Sequence, residues 1–260
     1  FAARANKRQV TMDEFERAKD KIMMGAERRS LVMSDADKKL TAYHEAGHTV
    51  VGRLSPDHDP VYKVTIIPRG RALGVTFYLP EGDRYSTSKR QLESSLTSVF
   101  GGRVAEQIIF GSESVTTGAQ SDIEHATKLA RSMVTRWGFS DRLGPLAYAE
   151  DQEEVFLGHS VSRSKHISDE TQRIVDEEVR KLIDEGYQRA EKILRSNMPI
   201  LHAMAEALLK FETLESSQID EIMAGRAPTP PRDWDDASAP SGGHGAAKPE
   251  PVIGPPASQT

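Results

Sequence analysis

The spacing of apolar residues predicts that most of this chain is helical. Between Ser34 and Leu54, apolar residues recur every three or four positions, as they do on one face of an amphipathic helix. Ser34 is of the type that caps a helix N-terminus, and the turn-forming run SPDHDP follows Leu54. We therefore expect one helix across this stretch. Its apolar positions are Leu40, Tyr43, Gly47, Val50, Val51 and Leu54.

Capping signals mark the starts of two further helices. Thr11 and Glu14 have the spacing of a capping box, in which the two residues bond each other's backbone. Ser121 and Glu124 have the same spacing, before a second helical run that reaches Trp137. The helical period also predicts helices at 168–197, 200–211 and 218–223, with a break at Pro199.

Two features interrupt the helical pattern. The helical region 88–110 contains Gly101-Gly102, and adjacent glycines indicate a break or the close approach of another element. Residues 61–67 and 72–79 are rich in β-branched and aromatic residues and flank a Pro-Arg-Gly turn, which predicts a hairpin. An edge strand there would bind an extended peptide by backbone pairing or serve only as a structural hairpin, and both readings stay open. The predicted fold class is mainly α with a small β element.

The chain divides into three predicted parts. Residues 1–33 are expected to belong to a preceding domain, with a linker at 26–33. Residues 34–225 carry most of the apolar pattern and form the predicted main domain. Within them, 138–165 is predicted to be a loop with short apolar pieces that form brief strands. Residues 226–260 are rich in Pro, Ala, Gly and Ser and are predicted to be a disordered tail.

Composition excludes several classes of protein. Hydrophobic residues make up 37% and charged residues 28% of the chain, as is typical of a soluble globular protein. The net charge of -5 gives no sign of nucleic-acid binding. No run of 18 apolar residues predicts a membrane span, and the absence of cysteine excludes disulfides and a thiolate metal site. The opening FAARANKRQ has no signal-peptide pattern, and we expect the chain to be part of a longer protein.

The candidate chemistry lies in the predicted helix after Ser34, which contains His44-Glu45-Ala46-Gly47-His48. Residues four apart stand on one face of a helix, so both imidazoles can bind one zinc ion. Glu45 lies about 100° further round the helix, where it is placed as the general base for a water molecule rather than as a ligand. Histidines in a core or at the surface are the alternative, but burying them beside an apolar stripe requires a partner.

A third metal ligand is not settled by the residues alone. Asp122 lies at the edge of the apolar arc of its helix, where a carboxylate needs a partner, although an acid in a first turn also stabilises the helix dipole. His125, further towards the polar side, is the competing ligand. Glu106 is a candidate ligand, a candidate partner of a ligand histidine, or a solvated acid. His58 and His202 are more typical of surface or packed histidines.

Three segments together resemble a known family. They are KDKIMMGAERRS, YHEAGH with the following HDPVYKVTIIPRGRALGVTF, and TTGAQSDIEHATKLARSMVTRWGFS. From about Asn6 to about Trp234 the chain resembles the peptidase module of the FtsH family, which are membrane-anchored, ATP-dependent zinc metalloproteases. The resemblance implies a zinc peptidase domain built on the HExxH helix, preceded in 1–33 by the end of an AAA ATPase module.

The resemblance also implies roles for individual residues. His44, His48 and Asp122 would bind zinc, and Glu45 would be catalytic. The expected function is hydrolysis of unfolded polypeptides that a homo-hexameric AAA ring delivers, in protein quality control. The parent protein would lie at the cytoplasmic face of the bacterial inner membrane, while this fragment would be soluble. An assembly module with a structural metal and a hydrolase of small molecules are the alternative functions.

Overall fold

The computed structural model describes residues 1–70, 72–148 and 168–231. They form a mainly helical fold with one small sheet, which confirms the predicted fold class. The helices are α1 (Met12–Met24), α2 (Asp35–Leu54), α3 (Lys89–Val99), α4 (Gly101–Phe110), α5 (Gln120–Thr135), α6 (Asp169–Ser196), α7 (Met198–Phe211) and α8 (Ser216–Met223). The strands are β1 (Val61–Thr65), β2 (Val75–Tyr78) and β3 (Thr213–Glu215).

Helix α2 is the buried centre of the fold. The Ser34 hydroxyl accepts a hydrogen bond from the backbone N–H of Asp37, so Ser34 caps the helix as predicted. Helices α4 and α7 pack along α2. A Cβ atom on Gly47 would lie only 2.2 Å from the carbonyl oxygen of Gly101, so the two glycines let α2 and α4 cross in close contact. The helical region also breaks here, because α3 ends at Val99 and α4 begins at Gly101.

The sheet has three antiparallel strands in the order β2-β1-β3. Strands β1 and β2 form the predicted hairpin, in which Val64 lies opposite Thr76. On its other side, Val64 lies opposite Leu214 of β3. The sequence analysis missed β3, because three residues between two helices carry no readable alternation. Strand β2 is therefore an outer strand of the sheet, and it lies beside α2.

The predicted start of α5 at Ser121 is wrong. The helix begins at Gln120, so Ser121 lies within its first turn rather than at its cap. A short 3-10 turn precedes the helix, and there the Thr116 hydroxyl accepts a hydrogen bond from the backbone N–H of Gly118. Since the chain runs from this turn directly into α5, no separate cap is needed. The carboxylate of Glu124 instead accepts a hydrogen bond from the side chain of Gln120.

The predicted break between two helices is present but falls at Asn197, and Pro199 lies inside the first turn of α7. Proline is accepted there because the first turn of a helix has no partner for its N–H groups. Residues 138–148 contain no strand, and the rest of the segment predicted to contain brief strands lies outside the described residues. The predicted tail is irregular at 226–231, and beyond 231 it lies outside the described part of the chain.

The N-terminal segment packs against the sheet. Lys63 on β1 and Asp20 on α1 are both more than nine-tenths buried, and they form an ion pair with an N–O distance of 2.6 Å. In the segment predicted as a linker, the backbone N–H of Arg28 donates to the carbonyl of Pro68 at 2.7 Å. The division between 1–33 and the following domain stays a prediction. None of the described helices is long and apolar enough to cross a membrane.

Candidate metal centre

Three side-chain atoms converge on one point, although they belong to two helices, α2 and α5, that are far apart in the sequence. Nε2 of His44 and Nε2 of His48, one turn apart on α2, lie 3.0 Å from each other. Oδ2 of Asp122, in the first turn of α5, lies 3.3 Å from the first nitrogen and 3.4 Å from the second. A tetrahedral ion with bonds of about 2.0–2.1 Å would separate its ligand atoms by about 3.3 Å. The three distances therefore fit a zinc ion held by two imidazoles and one carboxylate.

The other nitrogen of each imidazole is occupied by a hydrogen bond. Nδ1 of His44 donates to Oε1 of Glu106 at 2.7 Å, and Nδ1 of His48 donates to the carbonyl oxygen of Ser98 at 2.9 Å. Both partners are acceptors, so they fix the tautomer in which Nδ1 carries the proton. The lone pair of each Nε2 is thereby directed at the common point, as a metal ligand requires.

Glu106 supports a ligand and is not itself one of the converging atoms. Its side chain is fully buried, so the prediction of a solvated acid is wrong. The second carboxylate oxygen accepts hydrogen bonds from the backbone N–H of Thr116 at 3.1 Å and from its hydroxyl at 3.3 Å. Burial raises the pKa of Glu106, but the bonds from His44 and Thr116 outweigh it and hold the pKa below its ordinary value. The carboxylate therefore stays anionic beneath the histidine.

The charges around the convergence point favour a cation. Burial lowers the pKa of His44, but its contacts with Asp122 and Glu106 outweigh burial and raise the pKa to about 10. Burial likewise raises the pKa of Asp122, but the contacts with His44 and His48 hold it well below the usual range. A positive charge between these groups is thus strongly stabilised. Without a metal ion, this positive charge is a proton on His44. A divalent metal ion would supply the positive charge instead, bound by both imidazoles and the carboxylate of Asp122.

The backbone of α4 forms the floor of the site at Gly102. A Cβ atom there would lie 2.6 Å from Nε2 of His44 and 2.6 Å from Nε2 of His48. Real Cβ atoms do not approach so closely, and both rings are held in place from their Nδ1 side. Only glycine therefore fits at position 102. The Gly-Gly pair indicated from the sequence a break or a close approach, but its position against the two imidazoles was missed.

Glu45 is held beside the three converging side chains by strand β2. The side chain is only 5% exposed, and its Oε2 accepts a hydrogen bond from the hydroxyl of Thr76 at 2.7 Å. On the other side, a Cβ atom on Gly74 would lie 2.7 Å from Oε1 of Glu45. The sequence analysis assigned no role to Gly74 or Thr76, because their contact depends on how the hairpin packs against α2.

A cavity of about 900 Å³ joins these parts. It is lined by the three converging residues, by Glu45 and by residues of the outer strand β2. His125 and His58 also line it, but neither belongs to the converging group. The ring of His58 lies 4.5 Å from that of Tyr78, and its Nδ1 bonds the carbonyl of Asp59, so it is half-buried rather than solvated. His202 is a packed histidine, bonded to the hydroxyl of Tyr43 away from the site.

Two histidines four residues apart on one helix, a carboxylate from a second helix and a glutamate in the same cavity form the arrangement of the HExxH metallopeptidases. The class of protein that this site defines is therefore a metallopeptidase. The model of peptidase family M41 matches residues 31–222, and the chain belongs to this family. The resemblance drawn from the sequence is confirmed.

Relatives with this domain carry the name ATP-dependent zinc metalloprotease FtsH. The protein of Buchnera aphidicola subsp. Schizaphis graminum is 62% identical over 234 residues, which are 90% of this chain and 38% of that protein. The protein of Photobacterium profundum is 61% identical over 237 residues, which are 91% of this chain and 34% of that protein. The protein of Caulobacter vibrioides is 56% identical over 228 residues, covering 88% and 36%. The chain thus spans little more than a third of the length of these curated relatives.

Proposed function

We propose that this chain is the peptidase part of an ATP-dependent zinc protease and that it cleaves unfolded polypeptides internally. The observation that carries the proposal is the convergence of two imidazoles and a carboxylate at tetrahedral spacing, in a cavity that also contains Glu45. Membership of a peptidase family supports it, as do the names of the relatives. Each part of the mechanism has its own physical basis.

His44, His48 and Asp122 would hold the zinc ion. Two imidazoles and one carboxylate form a donor set that zinc prefers in catalytic sites, where a fourth position is left for water or substrate. When bound, zinc would polarise the scissile carbonyl and lower the pKa of a water molecule towards about 7. A structural zinc site would be closed by a fourth protein ligand, and no such ligand lies in the converging group among the described residues.

Glu45 would act as the general base. Its carboxylate lies in the cavity of the proposed metal ligands, and among the described residues only Thr76 donates a hydrogen bond to it, through Oε2, so Oε1 would accept the proton of water. Glu45 accepts a proton as water attacks the peptide carbonyl, and it then passes that proton to the leaving amine. The proton therefore remains in the active site between the two steps, and the carboxylate is regenerated when the amine leaves.

The outer strand β2 would bind the substrate. Val75 and Thr76 of this strand line the cavity, as does the preceding Gly74, and among the described residues β2 pairs only with β1. An extended peptide that adds to such an edge is held by backbone hydrogen bonds, which do not depend on its side chains. Only an unfolded segment can offer its backbone in this way. The strand thus supports general cleavage of unfolded chains rather than recognition of one folded partner.

The parent protein would supply the ATP-driven unfolding that a peptidase domain cannot perform by itself. The relatives are named as ATP-dependent, and more than half of their length lies outside the part that this chain matches. In the proposed arrangement, residues 1–33 are the end of an AAA module, 34–225 are the peptidase domain and 226–260 are the tail. A homo-hexameric ring at the cytoplasmic face of the bacterial inner membrane would unfold proteins for quality control and deliver them to the zinc site.

A single substitution tests the proposed chemistry. Glu45→Gln keeps the size of the side chain but cannot accept the proton, so we expect unchanged zinc content and loss of cleavage of an internally quenched, unstructured peptide. Glu113→Gln is a matched control at an exposed glutamate outside the cavity and should behave as wild type. Full activity of Glu45→Gln would refute the role of the base. An inactive, zinc-loaded wild-type chain would refute the peptidase activity of this part.

A further inference from the structure

One face of strand β2 is fitted to the motif helix α2 through alternate residues. Side chains two apart on a strand point to the same side. Thr76 donates a hydrogen bond to Glu45, and the Tyr78 hydroxyl donates one to the carbonyl oxygen of His48 at 2.9 Å; just before the strand, a Cβ atom on Gly74 would lie 2.7 Å from Oε1 of Glu45. Close packing extends to Gly52, where a Cβ atom would lie 2.8 Å from the ring of Tyr78. The register of β2 against α2 is therefore fixed along the whole strand.

The hydroxyl of Thr76 is committed to the carboxylate of Glu45. Oγ1 lies 2.7 Å from Oε2 of Glu45 and 3.3 Å from its main-chain carbonyl oxygen. A hydroxyl has one proton to donate, and the shorter contact with a charged acceptor is the stronger one. A Cβ atom on Gly74, the residue before β2, would lie 2.7 Å from Oε1, so the absence of a side chain there leaves room for the carboxylate. One oxygen of the carboxylate is thus held by the hydroxyl of Thr76 on β2.

We propose that Thr76 is a positioning residue for Glu45 and that its hydroxyl fixes the rotamer from which the carboxylate takes the proton of the attacking water. This inference rests on the proposed function of Glu45 as general base. A glutamate side chain has three rotatable bonds, and a base that samples several rotamers loses rate through misalignment rather than through weaker substrate binding. Since residues of β2 also line the cavity and β2 is an outer strand of the described sheet, one strand would both hold the base and bind the substrate.

Kinetics of two substitutions test the proposal. Thr76→Val keeps the shape of the side chain and removes the hydroxyl, while Thr76→Ser keeps the hydroxyl. With the quenched peptide, we expect Thr76→Val to lower kcat about ten- to a hundredfold, with KM and zinc content near wild type. Thr76→Ser should recover most of the loss. The valine variant should add no further loss in a Glu45→Gln background, because the group that it positions is already inactive.

Thr49→Val is the matched control. Thr49 is fully buried and its hydroxyl also bonds Glu45, but it donates to the main-chain carbonyl at 2.9 Å and not to the carboxylate. Its substitution should leave kcat close to wild type. An equal loss in Thr49→Val and Thr76→Val would show a general effect on packing around α2 and would overturn the positioning role. Wild-type kcat in Thr76→Val would overturn it as well.

Crystal structures of the wild type and of Thr76→Val supply a readout that does not depend on activity. We expect one Glu45 rotamer in the wild type, and a displaced carboxylate or more than one rotamer in the variant. An unmoved Glu45 in Thr76→Val would refute the inference, even if the general base role is correct. Conversely, an active Glu45→Gln would refute the role of Glu45 as general base, but the hydrogen bond between Thr76 and Glu45 in the wild type would still stand. The two failures can therefore be told apart.

Discussion

His44 and Glu106 lie 62 residues apart in the chain, yet Nδ1 of the histidine and Oε1 of the glutamate are joined by a hydrogen bond of 2.7 Å. The carboxylate is fully buried beneath the ring, and Thr116 satisfies its second oxygen. Such a partner fixes the orientation of a ligand imidazole and strengthens it as a donor. Glu106 thus supports His44 within the candidate metal centre, although it does not reach the convergence point.

Replacing Glu106 tests this support. Glu106→Gln keeps the size of the side chain but removes the charge that stabilises His44, so zinc affinity should fall about ten- to a hundredfold. Competition with a zinc chelator of known affinity measures the effect. Glu113→Gln, which changes an exposed glutamate, is the control and should bind zinc as the wild type does. Equal affinities of the two variants would contradict a role for Glu106.

The third ligand is tested by Asp122→Asn. The amide is a poorer donor than the carboxylate and removes one negative charge from the site, so we expect less than one zinc per chain after dialysis. Zinc content measured by atomic absorption checks this. Glu124→Gln changes an exposed acid on the same helix and should retain zinc. Full zinc content in Asp122→Asn would instead direct the search for the third ligand to His125.

Gly102→Ala should remove metal binding without changing any ligand. The added Cβ would lie within 2.6 Å of both Nε2 atoms, and the rings cannot retreat because Glu106 and Ser98 hold them from behind. We expect loss of zinc with the helical circular dichroism spectrum retained. Gly82→Ala is the control, since nothing lies near a Cβ atom at that position. Zinc binding by Gly102→Ala at wild-type affinity would contradict this, because it would show that the backbone of α4 can shift away from the two imidazoles.

The docking of α1 is tested by Asp20→Asn. This change leaves the buried ammonium of Lys63 without its nearest carboxylate, and Glu215 at 3.6 Å compensates only in part. We expect the free energy of unfolding in urea to fall by about 2–3 kcal/mol. Asp184→Asn on the exposed face of α6 is the control and should change little. No loss in Asp20→Asn would mean that the segment docks without this pair.

The site is completed by contacts between residues far apart in the chain, which no local sequence pattern predicts. Thr76 lies 31 residues from Glu45, and Ser98 lies 50 residues from His48, yet each pair is hydrogen-bonded. The Gly-Gly pair indicated a break or the close approach of another element. It did not indicate that Gly47, His44 and His48 of α2 would lie against it. The start of α5 was misplaced for a related reason, because a 3-10 turn upstream carried the chain into the helix.

Features that depend on short spacing along the chain could be predicted from the residues alone. Helical periodicity and a serine cap define α2, and the helical repeat alone brings His44 and His48 side by side with Glu45 a third of a turn away. Family resemblance selected Asp122 from among several candidates. The contacts of the hairpin with Glu45 and of α4 with His44 became visible only in the tertiary structure. The physical reason is that residues distant in the chain meet only through the packing of whole elements, and periodicity does not encode that packing.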